Sequence, residues 1–409
     1  MAAQVDHPTI LLLSLPSKTF IGLDLLSFNS SPNFQGITNI PIGLHFLYTG
    51  TDASLSIRHG RWLNVRRQCL VLQWNSANEN LDLLEQDSQT AQNAIRSVSP
   101  RGLVDYTALQ DATSDLSSQQ QSEHDHSTAQ DQHDDDRAES TDWPLLTSHL
   151  TSSLLTRVLS TEWIISSIST APADTEHIPG LSHLETDNAL RQSPLNLLTI
   201  DLKQTWAEGD IGRTRTDRAR DRSWYLEQLV DSVTPQGTDR TVGAKQVLGE
   251  LQFCFLMVLT LANYSCLEQW KRILTVMFTC RTALVEIEAY FVEVVKVLRM
   301  QARHIEDVDG GLFEMRDESA SSWLRSVWGK FRALVDETFT DDKSGGQALK
   351  IEIETLQKFF EEKYGWQSER DTLRRGMLEL EDGEQIEVSM QGVDEDEEKG
   401  EYAPLIVDS

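Results

Sequence analysis

The sequence is poor in three features, and each shortage excludes a class of protein. Its four cysteines, Cys69, Cys254, Cys266 and Cys280, include no Cys-x-x-Cys pair. A chain of 409 residues can form a large core without disulfides, so we expect free thiols in a reducing compartment. Uninterrupted apolar runs are short, so no membrane span is predicted. No basic residues precede the apolar residues 10–13, which are therefore interpreted as a strand and not as a signal peptide.

Positive charge is the third shortage. The chain has 36 Lys and Arg against 64 Asp and Glu, a net charge of −28, and this argues against direct binding to nucleic acid or to a membrane surface. The acidity is local, because residues 105–142 hold eleven acids and one base, and residues 368–409 hold fourteen acids and four bases. Such polar segments bury too little apolar surface to fold. We predict a disordered acidic insertion at 105–142 and a disordered acidic tail at 367–409.

The remaining sequence shows two kinds of periodicity. In residues 8–75, short apolar runs alternate with turn residues about every ten positions, which is typical of an antiparallel sandwich or barrel. Residues 195–206 are predicted to form one more strand and its exit. From residue 223 onward, five or six helical patterns follow with short connections. The predicted fold is α+β with two domains: a β-sandwich-like N-terminal domain (1–206), a linker (207–222) and an α-helical bundle (223–366).

The motifs of common enzymes are missing. The sequence has no nucleophile elbow, zinc-protease helix or dinucleotide fingerprint, and the spacing from Gly237 to Lys245 does not fit a phosphate loop. His124, His126 and His133 lie among aspartates and could bind a divalent ion. A solvated linker is the preferred interpretation, because ordering such ligands costs entropy. We therefore predict no catalytic residue, no metal site and no cofactor.

Three ionisable residues in apolar surroundings are interpreted as structural. Asp24 and His45 lie in predicted strands flanked by turns and are expected to hold backbone together. Glu250 lies inside an apolar helix, where a carboxylate needs a partner. Lys271 and Arg272 on the following helix are the candidate partners for a buried ion pair.

Two patches carry a resemblance to a known family. The first contains Gly22-x-Asp24, Pro32-Asn33-Phe34 and Ile40-Pro41-Ile42-Gly43-Leu44-His45-Phe46, and the second contains Gly249-Glu250-Leu251-Gln252-Phe253 followed by Glu268-Gln269-Trp270-Lys271. Between them lie Leu198-Thr199-Ile200-Asp201-Leu202 and Asp221-Arg222-Ser223-Trp224-Tyr225-Leu226. Together these patches resemble, in its fungal form, the family of spliceosomal U5 snRNP assembly factors that includes the yeast A1-alternative repressor protein. One departure is Pro41-Ile42-Gly43, where the family usually has Pro-Pro-Gly.

The resemblance implies a fold and a function. It implies a β-rich N-terminal domain, a C-terminal helical domain similar to VHS domains, and a non-enzymatic chaperone-like role. Family members bind the C-terminal region of the large U5 snRNP scaffold protein, compete with the spliceosomal RNA helicase, and leave when the particle matures in the nucleus. We therefore expect a monomer in cytoplasm and nucleus. The resemblance places partner-binding residues at Gly22, Asp24, Phe34, Pro41, Gly43, His45, Phe46, Leu198, Ile200, Gly249, Glu250, Gln252, Trp270 and Lys271.

The mode of partner binding is a further expectation. β-strand addition by an extended tail of the scaffold, at a sheet edge formed by residues 195–202, would give an interface that can be released. Two other functions stay open. A trafficking adaptor, suggested by the VHS-like half, would need a basic patch or a cargo groove. An unrecognised enzyme would need Asp24, His45 and Glu250 to converge in one pocket.

Overall fold

The computed structural model describes residues 7–51, 56–111, 140–175, 194–305, 313, 323–340, 345–366, 375–379 and 385–389. The chain forms two compact units. The sheet unit comprises residues 1–199, 233–271 and 297–312, and the helical unit comprises residues 200–232, 272–296 and 313–409. This grouping differs from the predicted division at 207–222, because residues 233–271 group with the sheets.

Ten strands of the sheet unit form two five-stranded sheets. The strands are β1 (Thr9–Leu13), β2 (Phe20–Leu23), β3 (Leu26–Asn29), β4 (Gly36–Thr38), β5 (Gly43–Gly50), β6 (His59–Val65), β7 (Cys69–Asn75), β8 (Asn80–Leu83), β9 (Leu103–Asp105) and β10 (Ile164–Ser166). The first sheet has the order β8-β7-β1-β4-β9, and the second has the order β10-β6-β5-β2-β3.

The prediction of two layers of strands is confirmed, but the prediction of purely antiparallel pairing is wrong for the first sheet. In that sheet β1 pairs in parallel with β7, and β4 pairs in parallel with β9. The reason is the path of the chain. After β1 the chain passes through strands of the second sheet, and it later returns to the first sheet as β7, which runs in the same direction as β1. The second sheet is antiparallel throughout.

The core lies between the two sheets. Successive side chains of a strand point to opposite faces of the sheet, so every second residue of each strand points into this core. Ile10 and Leu12 of β1 pack with Ile21 of β2 and Leu47 of β5 in one buried cluster. The intervening Leu11 faces the opposite side of the first sheet, where it packs with Ala91. Burying each such aliphatic side chain contributes about 1.5–3 kcal/mol.

In the described part of the chain, twelve helices with defined ends accompany the strands. They are α1 (Gln89–Ser97), α2 (Trp143–Leu146), α3 (Ser152–Leu159), α4 (Pro172–Thr175), α5 (Gly212–Arg220), α6 (Ser223–Val233), α7 (Arg240–Leu261), α8 (Tyr264–Met277), α9 (Arg281–Glu286), α10 (Glu288–Arg303), α11 (Trp323–Thr338) and α12 (Gln347–Tyr364). Helix α1 covers the outer face of the first sheet through Ala91, and α7 lies on the outer face of the second sheet.

An aromatic layer joins α7 to the second sheet. The Trp62 ring of β6 lies 5.1 Å from Phe46, 5.8 Å from Trp143 and 6.3 Å from Phe253 of α7, between ring centroids. All four side chains are almost completely buried. By length and hydropathy alone, α7 is long and apolar enough to cross a bilayer. However, 78% of its most apolar window is buried inside the protein, as in the core helix of a globular unit.

Aromatic residues also form the core of the helical unit. The rings of Phe278 and Phe331 stack 4.2 Å apart, and Phe360 packs 4.5 Å from Trp366. Trp328 lies between them and donates its indole N–H to the side chain of Gln357 at 2.9 Å. Two of the helical patterns predicted after residue 223 are thereby confirmed as α11 and α12.

Several local expectations need correction. Residues 195–206, all of which the structure describes, contain no strand. The predicted linker contains α5. The predicted insertion begins with the end of β9 and a helical stretch at 106–111, and it ends in a 3-10 turn at 140–142, while 112–139 lie outside the described residues. The acidic tail contains an antiparallel pair, β11 (Arg375–Glu379) and β12 (Gln385–Ser389), which its composition did not predict.

Candidate functional site

A buried polar cluster underlies the first family-like patch. Asp24 lies in the two-residue turn between β2 and β3 with φ +59°, a left-handed conformation that aspartate tolerates. One carboxylate oxygen accepts the Phe46 N–H at 2.9 Å, and the other accepts the Tyr106 hydroxyl at 2.7 Å and lies 2.6 Å from His45 Nδ1. The predicted role of Asp24, holding backbone together, is confirmed.

The hydrogen bonds of His45 indicate a charged imidazolium. Its Nε2 lies 2.8 Å from the carbonyl oxygen of Pro41, which can only accept, and its Nδ1 faces the Asp24 carboxylate. Both ring nitrogens therefore donate. Burial alone would lower the pKa of His45, but the charge on Asp24, its hydrogen bond and the Pro41 carbonyl outweigh that effect and raise the pKa above its usual 6.5.

The imidazolium supports an exposed turn between β4 and β5. Pro41 is exposed, and the Ile42 side chain is 60% exposed. Gly43 has φ +150°, a conformation that side chains rarely permit. On the far side of the turn, Trp143 donates its indole N–H to the Leu44 carbonyl at 2.8 Å. The turn is therefore an apolar, rigidly held feature of the surface.

A second polar cluster surrounds Glu250 in the middle of α7. Its carboxylate accepts hydrogen bonds from Arg157 at 2.6 Å, from the Leu198 N–H at 2.8 Å and from Gln269 at 2.9 Å. The predicted buried ion pair is confirmed, but the predicted partners Lys271 and Arg272 are wrong. Arg157 comes from α3, which the chain brings back against α7.

The same cluster explains why residues 195–202 form no strand. Glu250 accepts the N–H of Leu198, and Gln269 donates to the carbonyl of Leu198 at 2.8 Å. Side chains of α7 and α8 thus replace the neighbouring strand as hydrogen-bond partners. A partner strand could not pair with Leu198 without breaking these bonds, so the predicted docking edge at 195–202 is wrong.

The other residues of the Gly-Glu-Leu-Gln-Phe motif fix the path of the chain beside α7. A Cβ on Gly249 would lie 2.4 Å from the His149 carbonyl oxygen. The Gln252 side chain accepts the His149 N–H at 2.8 Å and donates to the Leu145 carbonyl at 3.0 Å. This motif therefore holds the end of α2 and the turn that follows it against α7.

The fourteen predicted partner-binding residues differ in exposure. Ten are buried, three are half-buried and one is exposed. The buried ones are Gly22, Asp24, His45, Phe46, Leu198, Ile200, Gly249, Glu250, Gln252 and Trp270; the half-buried ones are Phe34, Gly43 and Lys271; Pro41 is exposed. Trp270 donates its indole N–H to Gln301 at 2.9 Å, and Lys271 pairs with Glu268 at 3.5 Å. A partner could reach only the exposed and half-buried residues without rearrangement, and their role in binding stays a prediction.

An open sheet edge lies close to the first patch. Among the described strands, β3 is the last strand of the second sheet and pairs only with β2. Ser30 N–H donates to Thr19 O at the next position of this hairpin. By the alternation of an antiparallel ladder, the backbone groups of Ser27 and Asn29 then point away from β2. Both residues are exposed.

The edge of β3 lacks the usual protection against strand addition. Its sequence Leu-Ser-Phe-Asn has no charge and no proline, whereas natural edges are commonly blocked by lysine, proline or great shortness. The other sheet edges differ, since β8 and β9 carry Asp82 and Asp105, and β9 and β10 have three residues each. Strand β3 is thus the best-suited edge of the described sheets for an added strand.

The helical unit carries a surface of arginine–tryptophan pairs, which we call the Arg–Trp surface (Trp206, Arg215, Arg218 and Trp224). The guanidinium of Arg215 lies 4.4 Å from the ring centroid of Trp206, and that of Arg218 lies 4.3 Å from Trp224. In each pair, the positively charged guanidinium is attracted electrostatically to the face of the aromatic ring. Both tryptophans are half-buried.

Asp221 fixes the ends of the helices beside this surface. Its carboxylate accepts the N–H groups of Ser223, Arg281 and Thr282 at 2.9–3.0 Å, together with the hydroxyls of Ser223 and Thr282 at 2.5 Å. Burial would raise the pKa of Asp221, but these hydrogen bonds lower it below its usual 3.8. The first residue of the Asp-Arg-Ser-Trp-Tyr-Leu motif therefore joins the starts of α6 and α9.

Sequence reasoning missed α5, because the interleaved acids and bases of 207–222 were interpreted as a linker. A signal was present: arginines three residues apart, at 215 and 218, lie between tryptophans at 206 and 224. Spacing of three places both side chains on one helix face.

The arrangement of these polar residues gives little support to a catalytic function. In the described ranges, no group of three or more His, Cys, Asp or Glu side chains could hold a metal ion, and the three histidines of the acidic insertion lie outside those ranges. Asp24 and His45 are in contact, but Glu250 is joined to Arg157, Leu198 and Gln269 instead. Each carboxylate is saturated by structural hydrogen bonds.

Comparison with known proteins identifies the family. The AAR2 N-terminal domain matches residues 6–160, and the AAR2 C-terminal repeat region matches residues 197–369. The chain is 24% identical to the human protein AAR2 homolog over 333 residues, and 22% identical to the mouse homolog over 327 residues; each match covers 73% of this chain and 76% of the relative. The Caenorhabditis elegans homolog is 22% identical over 372 residues, covering 87% of this chain and 93% of the relative.

Both halves of the chain are thus matched, in the order and at the positions of the two family-like patches. The resemblance stated from the motifs is confirmed: the chain belongs to the AAR2 family of U5 snRNP assembly factors.

Proposed function

We propose that this chain is a non-enzymatic assembly chaperone of the U5 snRNP. It binds the C-terminal domains and tail of the large scaffold protein and keeps the spliceosomal RNA helicase off until the particle matures. It works as a monomer in cytoplasm and nucleus, without direct contact to nucleic acid or membrane. Family membership across both halves of the chain is the observation that carries this proposal. A splicing-related role follows from the family, and the trafficking-adaptor alternative has no support in either family match.

The structure favours a specific binding mode within this proposal. An extended segment of the scaffold adds to β3 and continues the second sheet. The outward backbone groups of Ser27 and Asn29 supply main-chain hydrogen bonds, and the Pro41–Gly43 turn with its exposed Ile42 is a second apolar contact of the same unit. Strand addition suits an assembly factor, since affinity comes from a few main-chain bonds that can be released when the particle matures.

A pair of variants tests the edge. Ser27→Pro removes the outward N–H and places a ring at the edge, while Ser27→Thr keeps the N–H and the strand. Losing one main-chain bond costs about 0.5–1.5 kcal/mol, and the ring adds steric exclusion, so we expect at least about tenfold weaker binding to the scaffold fragment. Ser27→Thr should bind like the unaltered chain.

The result needs a control for folding and one for the partner. Both variants are first compared by thermal melting, and binding is measured by calorimetry. A scaffold fragment without its extreme C-terminal tail should bind the unaltered chain about as weakly as the full fragment binds Ser27→Pro. Equal binding of the two serine variants would exclude β3 as the docking edge, and unchanged binding of the tailless fragment would exclude strand addition altogether.

A further inference from the structure

Two connections between the sheets lie side by side at one end of the sheet unit. Residues 39–42 lead from β4 to β5, and residues 66–68 lead from β6 to β7. Both connections therefore pass from one sheet to the other. Gly43 and Val65, where β5 begins and β6 ends, are partners in the antiparallel register. The residues just before Gly43 and just after Val65 are thus neighbours across this end of the second sheet.

The exposed residues of these connections combine apolar and positive side chains, and we call them the sandwich-end surface (Pro41, Ile42, Arg66 and Arg67). All four are exposed. Within the described part of the chain, neither arginine has an ion-pair partner. Asp105 lies at the same end of the first sheet, but three strands from β7, roughly 14 Å away. The surface is therefore positive on a chain whose net charge is −28.

The backbone of the sandwich-end surface is held in place before any ligand binds. The buried imidazolium of His45 donates to the Pro41 carbonyl at 2.8 Å. In the neighbouring connection, the Gln68 N–H donates to the Arg66 carbonyl at 2.7 Å. Ordering these turns in advance lowers the entropy that is lost when a partner binds. A buried charged pair thus supports a turn whose own side chains face solvent.

The chemistry of this surface selects its ligand. Guanidinium groups pair with carboxylates in bidentate fashion, and Ile42 gains free energy only by packing against apolar side chains. A phosphate backbone would also pair with Arg66 and Arg67, but it offers no apolar side chain to Ile42, and the net charge of −28 repels it. The matching ligand is therefore a protein surface on which carboxylates flank apolar side chains.

We propose that the sandwich-end surface binds an acidic and apolar surface of a partner protein. Carboxylates of the partner pair with Arg66 and Arg67, while its apolar side chains cover Pro41 and Ile42. This inference rests on the proposed function, because the U5 snRNP scaffold is taken as the partner. In the second sheet, β5 is two strands from β3, so the same partner can contact this surface and the open edge together.

A charge-reversal pair tests the electrostatic half. Arg66→Glu/Arg67→Glu is compared with Arg96→Glu/Arg101→Glu, because all four arginines are exposed on the sheet unit and have no ion pair in the described ranges. Binding to the C-terminal scaffold fragment is measured by calorimetry after thermal melting has shown that each variant is folded. We expect Arg66→Glu/Arg67→Glu to bind at least about tenfold more weakly, since like charges then face each other. The control pair should bind like the unaltered chain.

Salt and an apolar substitution separate the two halves of the contact. The loss caused by Arg66→Glu/Arg67→Glu should shrink as salt rises from about 0.05 to about 0.5 M, because salt screens exposed charges. Ile42→Ser should weaken binding at least about fivefold at both salt concentrations, because buried apolar area is lost. Ile42→Leu keeps the apolar area and should bind like the unaltered chain.

The outcomes separate this inference from the proposed function. Scaffold affinity that is unchanged in Arg66→Glu/Arg67→Glu, or reduced equally in the control pair, would overturn the acidic ligand and leave the assembly role standing. An RNA oligonucleotide that binds the unaltered chain and not Arg66→Glu/Arg67→Glu, with scaffold affinity unchanged, would overturn it in favour of phosphate. If the unaltered chain does not bind the scaffold fragment, the proposed function itself is contradicted.

Discussion

The cluster around Glu250 gives the sharpest prediction about this fold. Glu250→Gln keeps the shape of the side chain but removes its charge and turns one acceptor into a donor. Three donors converge on the carboxylate: Arg157, the Leu198 N–H and Gln269. An amide has only one acceptor oxygen, so at least one buried donor would lose its partner.

The expected cost follows from the burial of the pair. Glu250 is completely buried, and the Arg157 side chain is 23% exposed. Breaking a fully buried pair costs about 3–5 kcal/mol, and partial exposure of Arg157 places this one at the lower end. We therefore expect Glu250→Gln to lower the free energy of unfolding of the sheet unit by about 3 kcal/mol.

Two assays measure this cost, one global and one local. Urea unfolding, followed by tryptophan fluorescence, gives the change in free energy. Hydrogen exchange of the Leu198 amide reports the local bond, and its protection should fall. The matched control is Glu293→Gln, because Glu293 and Lys296 form an exposed i,i+3 pair that contributes only about 0.2–0.5 kcal/mol. A loss below about 1 kcal/mol with unchanged Leu198 protection would refute the anchoring role.

Two further predictions concern the same unit. The pKa of His45 is raised in the folded chain, so the stability that its charged form contributes should be complete below the unfolded pKa of 6.5 and lost as pH rises through the folded pKa. NMR titration of His45, together with urea unfolding midpoints at each pH, measures this effect. A folded pKa below 6.5 would contradict the imidazolium. Gly249→Ala should destabilise the unit by about 1–3 kcal/mol, because its Cβ meets the His149 carbonyl; an unchanged melting temperature, with Gly329→Ala as the open-space control, would contradict the packing.

The sequence predicted the periodic parts of the fold well. The alternation of apolar residues in 8–75 and the long apolar helix around residue 250 correspond to β1–β7 and α7. Local pattern decides such elements, since one face of each strand and most of α7 are buried. The structural role predicted for Asp24, His45 and Glu250 from their apolar surroundings also agrees with their buried hydrogen bonds.

Elements fixed by tertiary contacts could not be predicted. Residues 195–202 have the composition of a strand, but Glu250 and Gln269 take the hydrogen bonds of Leu198 that a neighbouring strand would need. Helix α5 has no apolar face, so hydrophobic periodicity does not reveal it; its arginines are ordered by stacking on Trp206 and Trp224. Parallel pairing of β1 with β7 depends on the path of the chain through the other sheet. For Leu198 and for β1 the deciding partner is distant in sequence.

The proposed assembly role is tested most directly by affinity purification of the tagged chain from cytoplasmic and nuclear extracts. The large U5 snRNP scaffold protein should co-purify with the chain, and the spliceosomal RNA helicase should be absent from the same complexes. Adding excess helicase to the purified complex should release the chain. Recovery of scaffold, helicase and this chain in one stable complex, or no scaffold in either extract, would contradict the account.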